Sequence, residues 1–118
     1  MVRLAISVEG PTEERFVKML LTPHLQNLQI YAQPFLLAKT GGDISLRRIS
    51  KDLNNLANSF DTVTTLYDFY GFRDKAADDN KASLEQKILE SVAVPLQGRI
   101  IPYVQMHEFE GILFSSPQ

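Results

Sequence analysis

At 118 residues the chain has the length of one domain, and its 44% hydrophobic content suits a globular core. No apolar run approaches the roughly 20 residues of a membrane span, and Arg3 is followed at once by a strand pattern and then by charges, unlike a signal peptide. The absence of Cys excludes disulfides and thiolate zinc sites and fits the cytoplasm, while a net charge of -2 argues against a broad basic phosphate-binding surface, although bound metals can supply local positive charge in a nuclease.

In chain order, Val2 to Val8 reads as a buried strand. Pro11 suits a first helical turn, where a missing N–H costs nothing, and Thr12 with Glu14 and Arg15 suggests an N-cap region. The helix runs to about Leu28, with a kink or break expected near Leu21-Thr22 because of Pro23. Ile30 to Ala38 is a second strand, and Pro34 places it at an edge or a bulge. Thr40-Gly41-Gly42-Asp43 is a loop, and Asp43 or Ser45 caps a helix from Ile44 to about Ser59 that carries Ile44, Ile49, Leu53, Leu56 and Ala57 on one stripe. Asp61 to Asp68 is a strand of β-branched and apolar residues. Phe69 to Asn80 reads as a loop. Asn80 or Ser83 opens a helix that ends before Pro95, Arg99 to Gln105 forms a fourth strand, and His107 to Phe114 starts a last helix. Alternation of this kind predicts an α/β fold with a mainly parallel four-stranded sheet, helices on both faces and right-handed crossovers.

Parallel strands share one C-terminal edge, so the polar residues that end them should converge. The first strand gives Glu9, on a Glu9-Gly10-Pro11-Thr12-Glu13-Glu14 turn into a helix. The third gives Asp68, and the fourth leads to His107-Glu108-Phe109-Glu110. Open α/β sheets place ligands at this edge. Clustered carboxylates repel unless a proton or a cation bridges them, and oxygen-only ligands suit Mg²⁺ or Mn²⁺ better than zinc. Such ions serve phosphoryl transfer.

The Val8 to Glu14 stretch, VEGPTEE, resembles the first motif of TOPRIM domains, which occur in topoisomerases, primases and overcoming-lysogenization-defect nucleases. VEGPTEERFV together with YDFYGF and PYVQMHEFEGILF more closely resembles the DUF4276 family of TOPRIM-like proteins, over most of the chain from Val8 to Phe114. The resemblance implies a Rossmann-like TOPRIM fold and a role in phage-defence loci beside an AAA/ABC-type ATPase partner. It also makes Glu9 the family's metal ligand or general acid-base, Glu13 its later acidic position, and Asp68 the first aspartate of an Asp-x-Asp pair. The second aspartate is replaced by Tyr70. Asp74, Glu108, Glu110 or Glu13 would have to substitute, or the site is degenerate. Family members look longer, so a single 1–118 domain truncated at its C-terminus is the expectation.

Several residues have plainer readings. Glu9 could cap its helix, and Glu13 and Glu14 lie where acids favour the helix dipole. Arg73, Asp74 and Lys75 belong to a solvated loop, His107 lacks a second histidine at ligand spacing, and His24 beside Pro23 is structural or on the surface. Gly41-Gly42 is a connector rather than a phosphate loop. Weighing these, the leading expectation is a Mg²⁺- or Mn²⁺-dependent nuclease acting on DNA or RNA. Glu9 and Asp68 are its catalytic residues, and Glu9, Glu13, Asp68 and Glu108 are its metal ligands. The rival is a catalytically degenerate binding module for the ATPase, with Phe69, Tyr70 and Phe72 as an exposed aromatic patch. A third reading, a nucleotide or phosphate binder at Gly10-Pro11-Thr12, is opposed by the neighbouring acids.

Overall fold

Alternating apolar and β-branched residues build the strands, and the computed structural model describes residues 1–37, 44–72 and 75–106. Strand β1 (Val2–Val8) is buried over its last four residues. Helix α1 (Pro11–Phe16) follows, with Pro11 in its first turn. Its N-cap is Gly10, without a side-chain cap, so Thr12 lies inside the helix instead of capping it.

The expected break before Pro23 takes the form of a π-helical stretch, Val17–Leu21, in which the Thr22 N–H reaches back to the Val17 carbonyl. Pro23 brings no N–H to the helical ladder, and a widened turn accommodates the missing bond. Helix α2 (Thr22–Gln26) completes the unit, and the Thr22 hydroxyl donates to the Ala32 carbonyl at 2.8 Å, tying it to the sheet.

Strand β2 (Ile30–Leu36) lies at a sheet edge, the position that Pro34 predicts. Helix α3 (Leu46–Ala57) is capped by Ser45, whose hydroxyl accepts from the Arg48 N–H at 3.3 Å. Strand β3 (Thr62–Asp68) alternates strictly, with Val63, Thr65 and Tyr67 buried. A 3₁₀ turn, Phe69–Gly71, follows, and helix α4 (Lys81–Glu90) opens with a reciprocal Asn80–Ser83 capping box, so both candidate cap residues take part.

The expected fourth strand is divided. Strands β4 (Ile100–Ile101) and β5 (Val104–Gln105) both run parallel to β3, interrupted at Pro102-Tyr103. Pro102 has no N–H for the ladder. The buried Thr65 side chain bridges the gap: its hydroxyl donates to the Tyr103 carbonyl at 2.7 Å and accepts from the Tyr103 N–H at 2.8 Å.

Among the described residues every strand pairing is parallel, in the order β2-β1-β3-β4 with β5 also on β3. The chain passes from β1 outward to β2, then returns across β1 to β3. Helices therefore cover opposite faces. Ile6, Val8, Val17 and Ala32 form one core, with Leu21 and Leu25 packed against it. Ala5, Ile49, Leu53, Val63, Tyr67, Leu84 and Ile88 lie in the larger core beneath α3 and α4. The strand order thus reverses between β1 and β3. A doubly wound sheet opens a crevice at that reversal, outside the carboxyl ends of the two strands. Those ends carry Glu9 and Asp68.

Candidate carboxylate site at the switch point

The register of β1 on β3 brings Val8 opposite Leu66, so Glu9, just beyond β1, meets Asp68, the last residue of β3. The Asp68 N–H donates to Glu9 Oε1 at 3.0 Å, bridging 59 positions of sequence. Asp68 Oδ1 in turn accepts from the Tyr70 N–H at 3.1 Å and caps the 3₁₀ turn. That turn returns Gly71 against Glu9: a Cβ on Gly71 would stand 2.8 Å from Glu9 Oε2. Any side chain there would make the Glu9 carboxylate shift, and this closeness is invisible until the turn is folded onto Glu9.

Glu9 is half-buried, and its carboxyl is pushed above the usual range. Burial is the largest cause. The Asp68 N–H pulls the other way, and the charges of Glu13 and Asp68 add to the rise. Glu13 therefore feels the site from the first turn of α1, with its carboxylate folded toward Gly10. Glu14 instead faces the exposed Lys18 at 3.8 Å across one helical turn.

Of the four expected metal ligands, Glu9 and Asp68 meet through the Asp68 main-chain N–H, and the carboxylates of Asp68 and Glu13 are near enough to act on Glu9 electrostatically. Gln105 pairs with Asp68 in register, so the strand leading to the third motif runs beside the site. Glu108 lies outside the described residues, as do Arg73, Asp74, His107, Phe109 and Glu110. Among the described residues no group of three His, Cys, Asp or Glu forms a candidate metal cage. The donor chemistry still fits Mg²⁺ or Mn²⁺. Mg²⁺ in particular is commonly held by one or two carboxylates and completes its shell with water and substrate phosphate. Glu9 and Asp68 would hold the ion, and Glu9 Oε2 accepts no hydrogen bond among the described residues.

The expected aromatic patch is corrected. Phe69 and Phe72 are buried in the core, Phe72 edge-on to Tyr67 at 6.2 Å, and Tyr70 alone is exposed. The 3₁₀ turn sends the rings on either side of Tyr70 inward.

Below the site lies a polar chain that the sequence did not disclose. The fully buried Tyr67 hydroxyl donates to Ser7 Oγ at 2.6 Å, and Ser7 donates to Asp52 Oδ2 at 3.0 Å. Burial raises the Asp52 carboxyl, partly offset by the Ser7 hydroxyl. Burial likewise raises the Tyr67 hydroxyl. The hint was Ser7 itself, a polar residue within the apolar run Leu4-Ala5-Ile6-Ser7-Val8.

No match to the chain was found among curated proteins or among solved structures. Among the described residues no helix is long and apolar enough to cross a membrane. The model of DUF4276, a domain of unknown function, matches residues 8–118 and so spans both site-bearing strand ends; the chain belongs to that family.

Proposed function

We propose that this chain is a TOPRIM-like, divalent-metal-binding domain that cleaves nucleic-acid phosphodiesters, working beside an ATPase in phage defence as its motifs imply. The observation that carries the reading is the Glu9–Asp68 contact at the switch point of the sheet. A half-buried carboxylate, raised in pKa and set among other acids, costs folding stability and is explained by a cation or a proton that it receives. Bound Mg²⁺ or Mn²⁺ would polarise the scissile phosphate and ease deprotonation of water. The chain's own part is positional. The Asp68 N–H orients Glu9 Oε1, Gly71 leaves space on the Oε2 side, and the elevated Glu9 carboxylate is suited to accept a proton from water.

The test is thermal melting with and without Mn²⁺, on wild type and on the Glu9→Gln/Asp68→Asn variant, followed by cleavage assays on DNA and RNA. A ligand that binds only the folded state raises its stability with concentration. A Mn²⁺-dependent rise in the wild type, absent from the variant, is expected. Cleavage that survives Glu9→Gln undiminished would refute the mechanism.

A second reading has one observation in its favour: Tyr70 stands, exposed, where the second aspartate of the pair belongs. In that reading the domain is a degenerate module that docks on the ATPase without cutting. The expected outcome would then be no Mn²⁺ shift at all and co-purification with the ATPase.

A further inference from the structure

The 3₁₀ turn that closes the site also presents a ring. Tyr70 is 66% exposed, its N–H is held by Asp68, and its ring stands edge-on to Phe69 at 5.1 Å and 82°. Phe69 is buried, so the exposed ring is braced from below. The same turn abuts the start of α3, where the Ile44 N–H donates to the Gly71 carbonyl at 3.1 Å. On the first two turns of α3, Arg47, Arg48 and Lys51 are exposed, and none of them makes an ion pair among the described residues. The sole acid of that helix, Asp52, is turned to Ser7. In a chain of net charge -2, three cations without an ion-pair partner among the described residues are thus gathered on one short stretch, on the helix whose start abuts the turn that closes the site.

Folding requires neither the ring nor the cations at these places. Proteins that hold single strands combine aromatic platforms, on which bases stack, with cations that track the backbone. A duplex offers an isolated ring no free base face. We infer that the crevice takes single-stranded nucleic acid, with Tyr70 stacking one base beside Glu9 and Asp68 while Arg47, Arg48 and Lys51 hold the adjoining phosphates. This rests on the phosphodiester reading above. It gives the residue that interrupts the aspartate pair a role in choosing substrate.

The experiment is fluorescence anisotropy in Ca²⁺ with labelled strands of about 12 nucleotides, as DNA, as RNA and as duplex. The two single-stranded arms distinguish DNA from RNA. Wild type should bind a single strand more tightly than the duplex. Tyr70→Ala should weaken that binding about tenfold, the scale of a single base stack, and Tyr70→Phe should restore most of it. Replacing Arg47, Arg48 and Lys51 by Ala should weaken binding and flatten its salt dependence, by about 0.7 in log–log slope for each phosphate no longer neutralised. Duplex bound as tightly as single strand, Tyr70→Ala binding like wild type, or no binding of any strand would overturn the inference. The Mn²⁺ melting of wild-type protein fails or succeeds independently, so failure of the metal reading is distinguishable from failure of this one.

Discussion

Glu9 illustrates how much a single carboxylate depends on neighbours remote in sequence. Its position after an apolar strand is local, but its burial, its Asp68 N–H and the absence of a Cβ at Gly71 all come from β3 and the turn beyond it. Gly71 yields a direct test. An added methyl would need Glu9 Oε2 to move, and Oε1 is already engaged by Asp68. Gly71→Ala should therefore displace the carboxylate and abolish the Mn²⁺-dependent rise in melting temperature while the far-ultraviolet circular dichroism stays that of the folded chain. An unchanged Mn²⁺ response would mean that Glu9 is not the ligand. Tyr70 is the opposite case: the backbone of the same turn is engaged in the site, but its side chain is left to solvent.

Among the elements, α4 shows how side chains finish what short strands leave open. Lys81 donates to the Val104 carbonyl at 2.8 Å, and Glu85 Oε2 accepts from the Val104 N–H at 2.9 Å. One i,i+4 ion pair thereby occupies both main-chain groups of Val104 on β5, which blunts an edge that would otherwise invite another strand. The segment before α4 is held by Asp79, which accepts from the Ala76 N–H, the Ser83 hydroxyl and Lys87 Nζ, each at 2.7 Å. Lys87 first, then Ser83 and Ala76, lower the Asp79 carboxyl to about 2. A carboxylate lowered in the folded state stabilises above its ordinary value, and that stability is lost as pH falls through the lowered one. Urea midpoints of the wild type should thus drop between about pH 4 and about pH 2, and Asp79→Asn should blunt that drop. Parallel acid profiles for the two proteins would remove Asp79 from the account.

For the whole molecule, the strand order sets where chemistry can occur. The chain winds outward from β1 to β2 and back across it to β3, so helices diverge to opposite faces and the crevice opens between the carboxyl ends of β1 and β3. The acids gathered there give the molecule a pH signature opposite to that of Asp79. Burial first, then the charges of Glu13 and Asp68, hold the Glu9 carboxyl above its ordinary range against the pull of the Asp68 N–H. The stability Glu9 contributes is thus present in acid and lost as pH rises through its elevated pKa. Metal ligation needs the ionised form, so protons compete with the ion over that same interval. The Mn²⁺-dependent rise in melting temperature should therefore grow with pH over the interval above the ordinary glutamate value of about 4.3. A rise independent of pH over that interval would place the ion on other groups.

The α/β alternation, the edge position of β2 and the placement of Glu9 and Asp68 at strand ends were legible in the sequence. Each depends on local pattern: apolar runs of strand length, Pro34, capping residues, and acids directly after apolar strands. The family, too, was legible in three ordered motifs. Beyond that reach lay the division of the last strand, where Thr65 substitutes for the ladder at Tyr103, and the inward turn of Phe69 and Phe72. So did the Tyr67–Ser7–Asp52 chain and the close approach of Gly71 to the Glu9 carboxylate. These are decided by packing between segments as many as 62 residues apart, such as Glu9 and Gly71. Periodicity reports which face of an element is apolar. It carries no record of which remote backbone or side chain will be packed against that face, and at this site that packing sets how far the Glu9 carboxylate is buried and which main-chain N–H it accepts.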